Sequence, residues 1–390
     1  MRRDLSRHDV VVVGARAAGA ATAMLLARAG LRVVVVDRGR YGADTLSTHA
    51  LMRGAVVQLH RWGLLTRIVA VGTPPIHRTT FRYAADEIVI PIKPSHGVDA
   101  LYAPRRTVLD PVLVDAAVAA GAEVRYGFTL TGVRRDRRGR VTGVVGRDGD
   151  GQRVAIDADL VVGADGMRSS VAQRVAAPVE RRGIAASAVV YGYWSDLDTS
   201  GYEWIFRPNA CAGVIPTNDR LAVVFAAATP DRVGRGGRRV LESLLAEACP
   251  ETAARVRMGV APIGVRTFTG HPGFLRRPWG PGWALVGDAG YWKDPLTAHG
   301  LTDALRDAEL LARAVVAAAS GDVSEADAFA EYQDTRDRLS LPLFVITDAV
   351  ASQRWTDTEI GALLLELSAA MAVEVDVLAA LGAPDTIAVR

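Results

Sequence analysis

The chain has 390 residues, 49% hydrophobic and 23% charged, with 46 basic and 43 acidic side chains and a net charge of +3. That is enough apolar material for a large core, and it excludes disordered and collagen-like classes. Charges of both signs are interspersed without a basic run, so nucleic acid is not an expected partner, and the two cysteines, Cys211 and Cys249, offer neither a disulfide framework nor a metal-ligand spacing.

The first 37 residues carry the sharpest local pattern. Residues 10–13 are a continuous apolar strand, 17–29 an Ala/Leu-rich helix and 33–36 a second apolar strand, which together make a βαβ unit with Gly30 at the helix stop. Its turn reads Gly14-Ala15-Arg16-Ala17-Ala18-Gly19, and Asp37 closes the second strand. This is a dinucleotide fingerprint with Arg16 at the middle glycine position, where its side chain must point away or fold over the phosphates.

Helical spacing returns at 51–65, after which Pro74, Pro75, Pro91 and Pro94 punctuate an excursion with short β-like pieces at 79–83 and 88–92. A helix over 106–120, a hairpin around 134–140 and a buried strand at 159–162 follow. Residues 184–227 read as antiparallel strands holding Tyr191, Tyr193, Trp194, Tyr202, Trp204, Phe206 and Phe225. A helix at 239–248, a strand at 283–286, Gly287-Asp288-Ala289-Gly290 and a long helix over 298–319 come next. The stretch 324–381 has the spacing of three amphipathic helices. The expected organisation is a nucleotide-binding domain in three pieces (1–72, 101–180 and 280–323), a β-rich substrate domain (73–100 and 181–279) and a C-terminal helical region (324–390). The longest apolar stretches are broken by Arg16, Arg28, Glu366, Glu374 and Asp376, and 1–10 lacks the pattern of a secretion signal, so a cytoplasmic protein without stable membrane association is expected.

Gly163-Ala164-Asp165-Gly166-Met167-Arg168-Ser169-Ser170, then Gly287-Asp288-Ala289 with Pro295, Gly300, Asp307 and Ala308 at matching offsets, resemble the flavin signatures of para-hydroxybenzoate hydroxylase-like flavoprotein monooxygenases. The segment RTVLD at 106–110 resembles the helix entry that touches the flavin phosphates in that family. The resemblance implies an α/β Rossmann-type FAD-binding domain, glutathione reductase-like, with an inserted antiparallel sheet and C-terminal helices. It assigns FAD contacts to Gly14, Ala15, Arg16, Ala17, Ala18, Gly19, Asp37, Arg38, Arg106, Asp165, Gly166, Gly287, Asp288, Pro295, Ala298, Gly300, Leu301 and Thr302. NAD(P)H is implied as a transient co-substrate, since no second complete fingerprint is present, and O2 as the oxidant.

The departures are Tyr291 at the family's histidine, Ala298 at its first glycine before the long helix and Thr302 at its asparagine, and they shade toward reductase and halogenase branches. The leading expectation is hydroxylation of an aromatic or polyketide-like small molecule. The alternatives are a FAD-dependent reductase or oxidase acting on a carbon–carbon bond of a hydrophobic substrate, and a flavin-binding protein without turnover. His49, His299 and Pro295 are the catalytic candidates, and Tyr191, Tyr193, Trp204, Phe206, Tyr291 and Trp292 the expected substrate wall. No metal is expected, because the sequence has no histidine pair at helical i, i+4 spacing.

Overall fold

A computed structural model describes residues 7–321 and 323–382. Strand His8–Val13 lies at the centre of the first sheet, parallel to Val33–Asp37 on one side and to Arg153–Gly163 on the other, with Val10 opposite both Val33 and Leu160. Glu123–Tyr126 and Trp283–Leu285 extend it as further parallel strands. Such strands are buried on both faces, which is why they read as unbroken valine runs. The helices Ala17–Arg28 and Gly300–Ala319 pack on one face, and the side chains of Met24, Leu26, Leu305 and Leu311 are fully enclosed there.

The second sheet has seven strands and is built from two distant parts of the chain. Ala188–Trp194, Tyr202–Arg207, Ala210–Pro216 and Ala222–Ala228 pair with Arg78–Tyr83 and Asp86–Pro91 from the proline-punctuated excursion, and Arg266–Phe268 forms the far edge. One face of this sheet carries Tyr191, Trp204 and Phe225 into the core shared with the first sheet and its helices, while the other packs Val190, Ile205 and Val224 on the helices Arg238–Ala248 and Pro250–Met258. A three-stranded patch joins Val179–Arg182, Phe274–Arg276 and Tyr291–Trp292, so the chain immediately after Asp288 is held by pairing rather than left as a loop.

The C-terminal stretch corrects one expectation, for it forms two long helices, Glu325–Ser352 and Asp357–Ala380, not three. Pro342 sits inside the first of them without ending it: the missing amide costs one intrahelical bond, and burial of Leu339, Leu343, Phe344 and Ile346 outweighs the loss. The true stop is Gln353, in the left-handed region at φ 53°, after which Thr356 and Glu359 close a reciprocal cap on the last helix. None of the described helices is long and apolar enough to cross a membrane.

Candidate active site

The first turn explains its own glycines. Gly14 has φ +112°, and a Cβ there would meet the Ala164 carbonyl oxygen at 2.4 Å; on Gly19 it would sit 1.8 Å from the Gly14 carbonyl oxygen. Helix and strand therefore approach closer than any side chain permits, which leaves the amides of the first helical turn facing outward. The Asp37 carboxylate accepts bonds from the amides of Ala15 at 2.7 Å and Gly39 at 2.6 Å and also borders the opening.

A single cavity of about 640 Å³ starts from this turn. It runs from Asp37, Arg38 and Leu130 past Gly14, Arg16, Ala17, Ala18 and Arg106 to Asp288, Pro295, Ala298, Gly300 and Leu301. Asp165 and Gly166 border it as well, but the Asp165 carboxylate already accepts from the Ser169 hydroxyl and the amides of Ser170 and Val171, so it anchors its own turn. Ala15 faces a small adjoining recess. Gly19, Gly287 and Thr302 stand behind the wall, with a Cβ on Gly287 lying 3.1 Å from that of Ala18. Arg16 borders the cavity, yet its guanidinium is committed to Asp110 at 3.2 Å and to the Ala43 carbonyl at 3.2 Å, and Asp110 is also gripped by Arg106. Its charge is thus shared with the protein rather than free to answer a phosphate alone.

The donor set fits an extended flavin dinucleotide. Asp288 borders the cavity and takes no hydrogen bond from a described residue; burial pushes its carboxyl up to about 6 against the pull of Lys293 and Arg106. It is an acceptor placed for polyol hydroxyls. Nearby, the helix Gly300–Ala319 begins at the cavity, and its first amide bonded back into the helix is that of Asp303, to the His299 carbonyl. The preceding amides of Gly300, Leu301 and Thr302 belong to the electropositive helix terminus. Two non-glycine residues in the left-handed region, His49 at φ 69° and Ala298 at φ 50°, both border the cavity, and such strain concentrates at functional sites.

His49 does not behave as a proton handler near neutral pH, which corrects one expectation. Burial, reinforced by the charge of Arg106, drives its ring down to about 3, so it stays neutral. Its Nε2 lies 2.6 Å from the Tyr193 hydroxyl, and its Nδ1 has no partner among the described residues. Arg105 covers the Tyr193 ring at 4.5 Å, and Tyr191 accepts from the Ser47 amide at 3.0 Å, so these tyrosines hold the loop that presents His49. Of the expected aromatic wall, Tyr291 and Trp292 border the cavity. Tyr191, Tyr193, Trp204 and Phe206 do not: Trp204 packs on Tyr202 and Phe225, and Phe206 on Trp355, as core fillers between the sheet and the C-terminal helices. Pro295 borders the cavity and opens a short turn capped by Asp294, whose carboxylate also accepts from the Ser187 amide of the second sheet at 2.6 Å.

His299 sits in a buried ionic cluster that the sequence reading missed. Its Nδ1 is 3.1 Å from Asp303 Oδ1 and its Nε2 is 2.8 Å from Glu374 Oε2 of the last helix. Arg306 bonds Asp303, Asp307 and Glu374, and Lys293 donates to Asp303 with its Nζ 3.5 Å from His299 Nδ1. Burial, with the nearby Lys293 charge, outweighs the pull of Glu374 and lowers the pKa of the imidazole, although a carboxylate oxygen lies close to each ring nitrogen. Burial would raise the Glu374 carboxyl, and the charges of His299 and Arg306 outweigh it, holding the group at about 2. His299, Asp303 and Glu374 bring ligand-type atoms within 4.8 Å of one another, yet Lys293 and Arg306 already compensate both carboxylates, so this is an ion-pair cluster. A visible signal did exist: Glu374 stands alone in the apolar run AAMAVEV, and Lys293 is one of only two lysines, both features that a core or a site must explain.

Comparison with known proteins agrees with this geometry. Residues 7–341 match the family model described as FAD binding domain. The chain is 30% identical over 343 residues to menaquinone reductase of Mycolicibacterium smegmatis, covering 82% of this chain and 79% of that one. It is 26% identical over 378 residues to a putative polyketide hydroxylase of Streptomyces halstedii, covering 89% of this chain and 65% of that one. A triple mutant of the flavin-dependent brominase Bmp2 superposes with a TM-score of 0.80 at 17% identity over 97% of both chains, which speaks to the fold. With the glycine turn, the unpartnered Asp288 and the helix amides converging on one cavity, the chain belongs to the FAD-binding family of para-hydroxybenzoate hydroxylase-like flavoprotein monooxygenases and is a FAD-dependent oxidoreductase.

Proposed function

We propose that this enzyme uses NAD(P)H and O2 to hydroxylate an aromatic or polyketide-like small molecule. The observation that carries the reading is the single chamber reaching from Asp37 to His49 and Asp288, in which a cofactor and a smaller molecule can meet out of water. FAD, when bound, supplies the hydride acceptance and oxygen chemistry. Asp288 and the amides at Gly300 and Leu301 hold it, Arg106 and the 14–19 turn take its phosphates, and Asp37 its adenosine ribose. The neutral His49 borders the chamber, its ring fixed in orientation by the 2.6 Å contact of Nε2 with the Tyr193 hydroxyl. The likeness to a putative polyketide hydroxylase supports a polyketide-like substrate.

The test is oxygen uptake coupled to NAD(P)H oxidation, with incorporation of ¹⁸O from ¹⁸O2 into a phenolic or anthraquinone-type product. Turnover that continues without O2 and leaves the product unlabelled refutes hydroxylation. It would favour a second reading, reduction of a carbon–carbon double bond in a hydrophobic substrate, which the 30% identity to a menaquinone reductase supports.

A further inference from the structure

We propose that Lys293 is the cation that answers the negative charge which reduction brings into the flavin cavity, and that Glu374, reaching it through His299 from the last helix, is its positioning residue. The inference rests on bound FAD and not on which reaction follows.

Lys293 borders the same end of the cavity as Asp288, Leu301 and Asp303, and its side chain is 3% exposed, so solvent does little to screen its charge. The choice of residue is itself informative. All but Lys93 and Lys293 of the 46 basic residues are arginine, and arginine fills the buried pairs of this chain at Arg306 and Arg336. A guanidinium stays charged wherever it is placed, whereas a buried ammonium can take up or release its proton. An ammonium in this wall therefore lets the charge of the cavity follow the electrons delivered to it.

The surroundings set that response. Asp303 and Arg306 face Lys293 from the helix Gly300–Ala319, His299 from its start, Glu374 from the last helix, and Asp288 and Tyr291 from the segment just before it. Lys293 and Arg306 face the three carboxylates of Asp303, Asp307 and Glu374, so the cluster holds no spare positive charge and becomes one unit more negative when Lys293 gives up its proton. Burial and Arg306 press the ammonium down to about 7, while Glu374, Asp288 and Asp307 support it. Electrons delivered by the hydride donor raise the affinity of Lys293 for a proton, which comes from solvent when the amine is neutral. Reduction and proton uptake are thus coupled at Nζ.

The test is the midpoint potential of FAD in the full-length holoprotein, measured by reductive titration with dithionite against reference dyes from pH 6 to 9, with no substrate present. Lys293→Met should weaken binding of reduced relative to oxidised FAD about tenfold, which lowers a two-electron potential by about 30 mV. Lys293→Arg should keep the wild-type value at pH 6 and lose the additional downward slope expected above pH 7. Glu374→Gln should move the onset of that slope to lower pH, since its charge supports the protonated amine. A potential unchanged in Lys293→Met, or equal losses in Lys293→Met and Lys293→Arg, overturns the proposal. Should Lys293→Met fail to hold FAD, Lys293→Gln, which removes the charge and keeps a donor for Asp303, is read in the same way; failure of both to hold FAD overturns the tuning role in favour of a structural one. Absence of oxygen-coupled turnover would count against the proposed function and leave this measurement intact.

Discussion

Replacing Gly19 by alanine inverts a usually favourable change. Alanine is the better helix former by about 1 kcal/mol, so on an ordinary helix the substitution would stabilise. Here the new Cβ would lie 1.8 Å from the Gly14 carbonyl oxygen and 3.0 Å from the Ala164 Cβ, and both neighbours directly follow paired strands of the parallel sheet. To restore contact at about 3.0 Å the helix must withdraw by about 1.2 Å, an overpacking that costs about 1–3 kcal/mol. The amides of Ala17 and Ala18 move with it, and the loss of one charge-assisted bond to a phosphate, about 1.5–3 kcal/mol, weakens FAD by about 10- to 100-fold. Apoprotein titrated with FAD by flavin fluorescence, alongside thermal unfolding, gives both numbers. Gly30→Ala is the matched control: φ is +91° with no atom within 4 Å of the new Cβ, so it should cost about 1–2 kcal/mol of backbone strain and leave FAD affinity alone. Wild-type FAD affinity in Gly19→Ala, or an equal loss in Gly30→Ala, would refute the argument from close approach.

Asp288→Ala removes an acceptor from the cavity wall and should weaken FAD by about tenfold or more, measured by the same titration; unaltered affinity would mean that Asp288 makes no bond to the cofactor. His49 is neutral when folded, with its pKa driven to about 3, and near 6.5 when unfolded, so the unfolded chain binds the extra proton and stability is lost as pH falls below 6.5. Between pH 7 and 5 this residue should account for about 2 kcal/mol, and His49→Gln should flatten that part of a denaturant-derived stability profile. Arg61 bonds the buried Glu309 at 3.0 Å and the carbonyl of Leu381 at 2.7 Å, so Arg61→Ala should destabilise by about 3 kcal/mol, read as a lowered urea midpoint, with Arg313 left to hold the carboxylate.

Local chemistry made the nucleotide turn legible. Gly14, Gly19 and Asp37 lie within one βαβ unit, so their spacing alone reports a geometry. Asp288 was found through the resemblance of Gly287-Asp288-Ala289 to a flavin signature, and it borders the cavity. The aromatic wall was not, because Trp204 and Phe206 alternate correctly for a strand whether their face meets a ligand or a core, and Trp355, which fills against Phe206, comes from another part of the chain. The ionic cluster escaped for a different reason. Asp303, Arg306 and Asp307 look like ordinary helix charges, and only packing of the last helix against this one turns that face inward and supplies Glu374.

That last packing carries a consequence for the order in which the protein becomes competent during synthesis. The glycine turn and Asp37 leave the ribosome long before the last helix and form a local unit, whereas Arg306 gains the Glu374 carboxylate only after a further 68 residues have been made. Until then the Arg306 guanidinium and the Lys293 ammonium have only Asp303 and Asp307 to face, and His299 lacks the carboxylate beside its Nε2. Arg61 and Arg313 then clasp the carbonyl of Gly382 and fasten the end of the last helix in place. A nascent chain stopped short of residue 374 would own the dinucleotide cradle and lack the Glu374 carboxylate beside it.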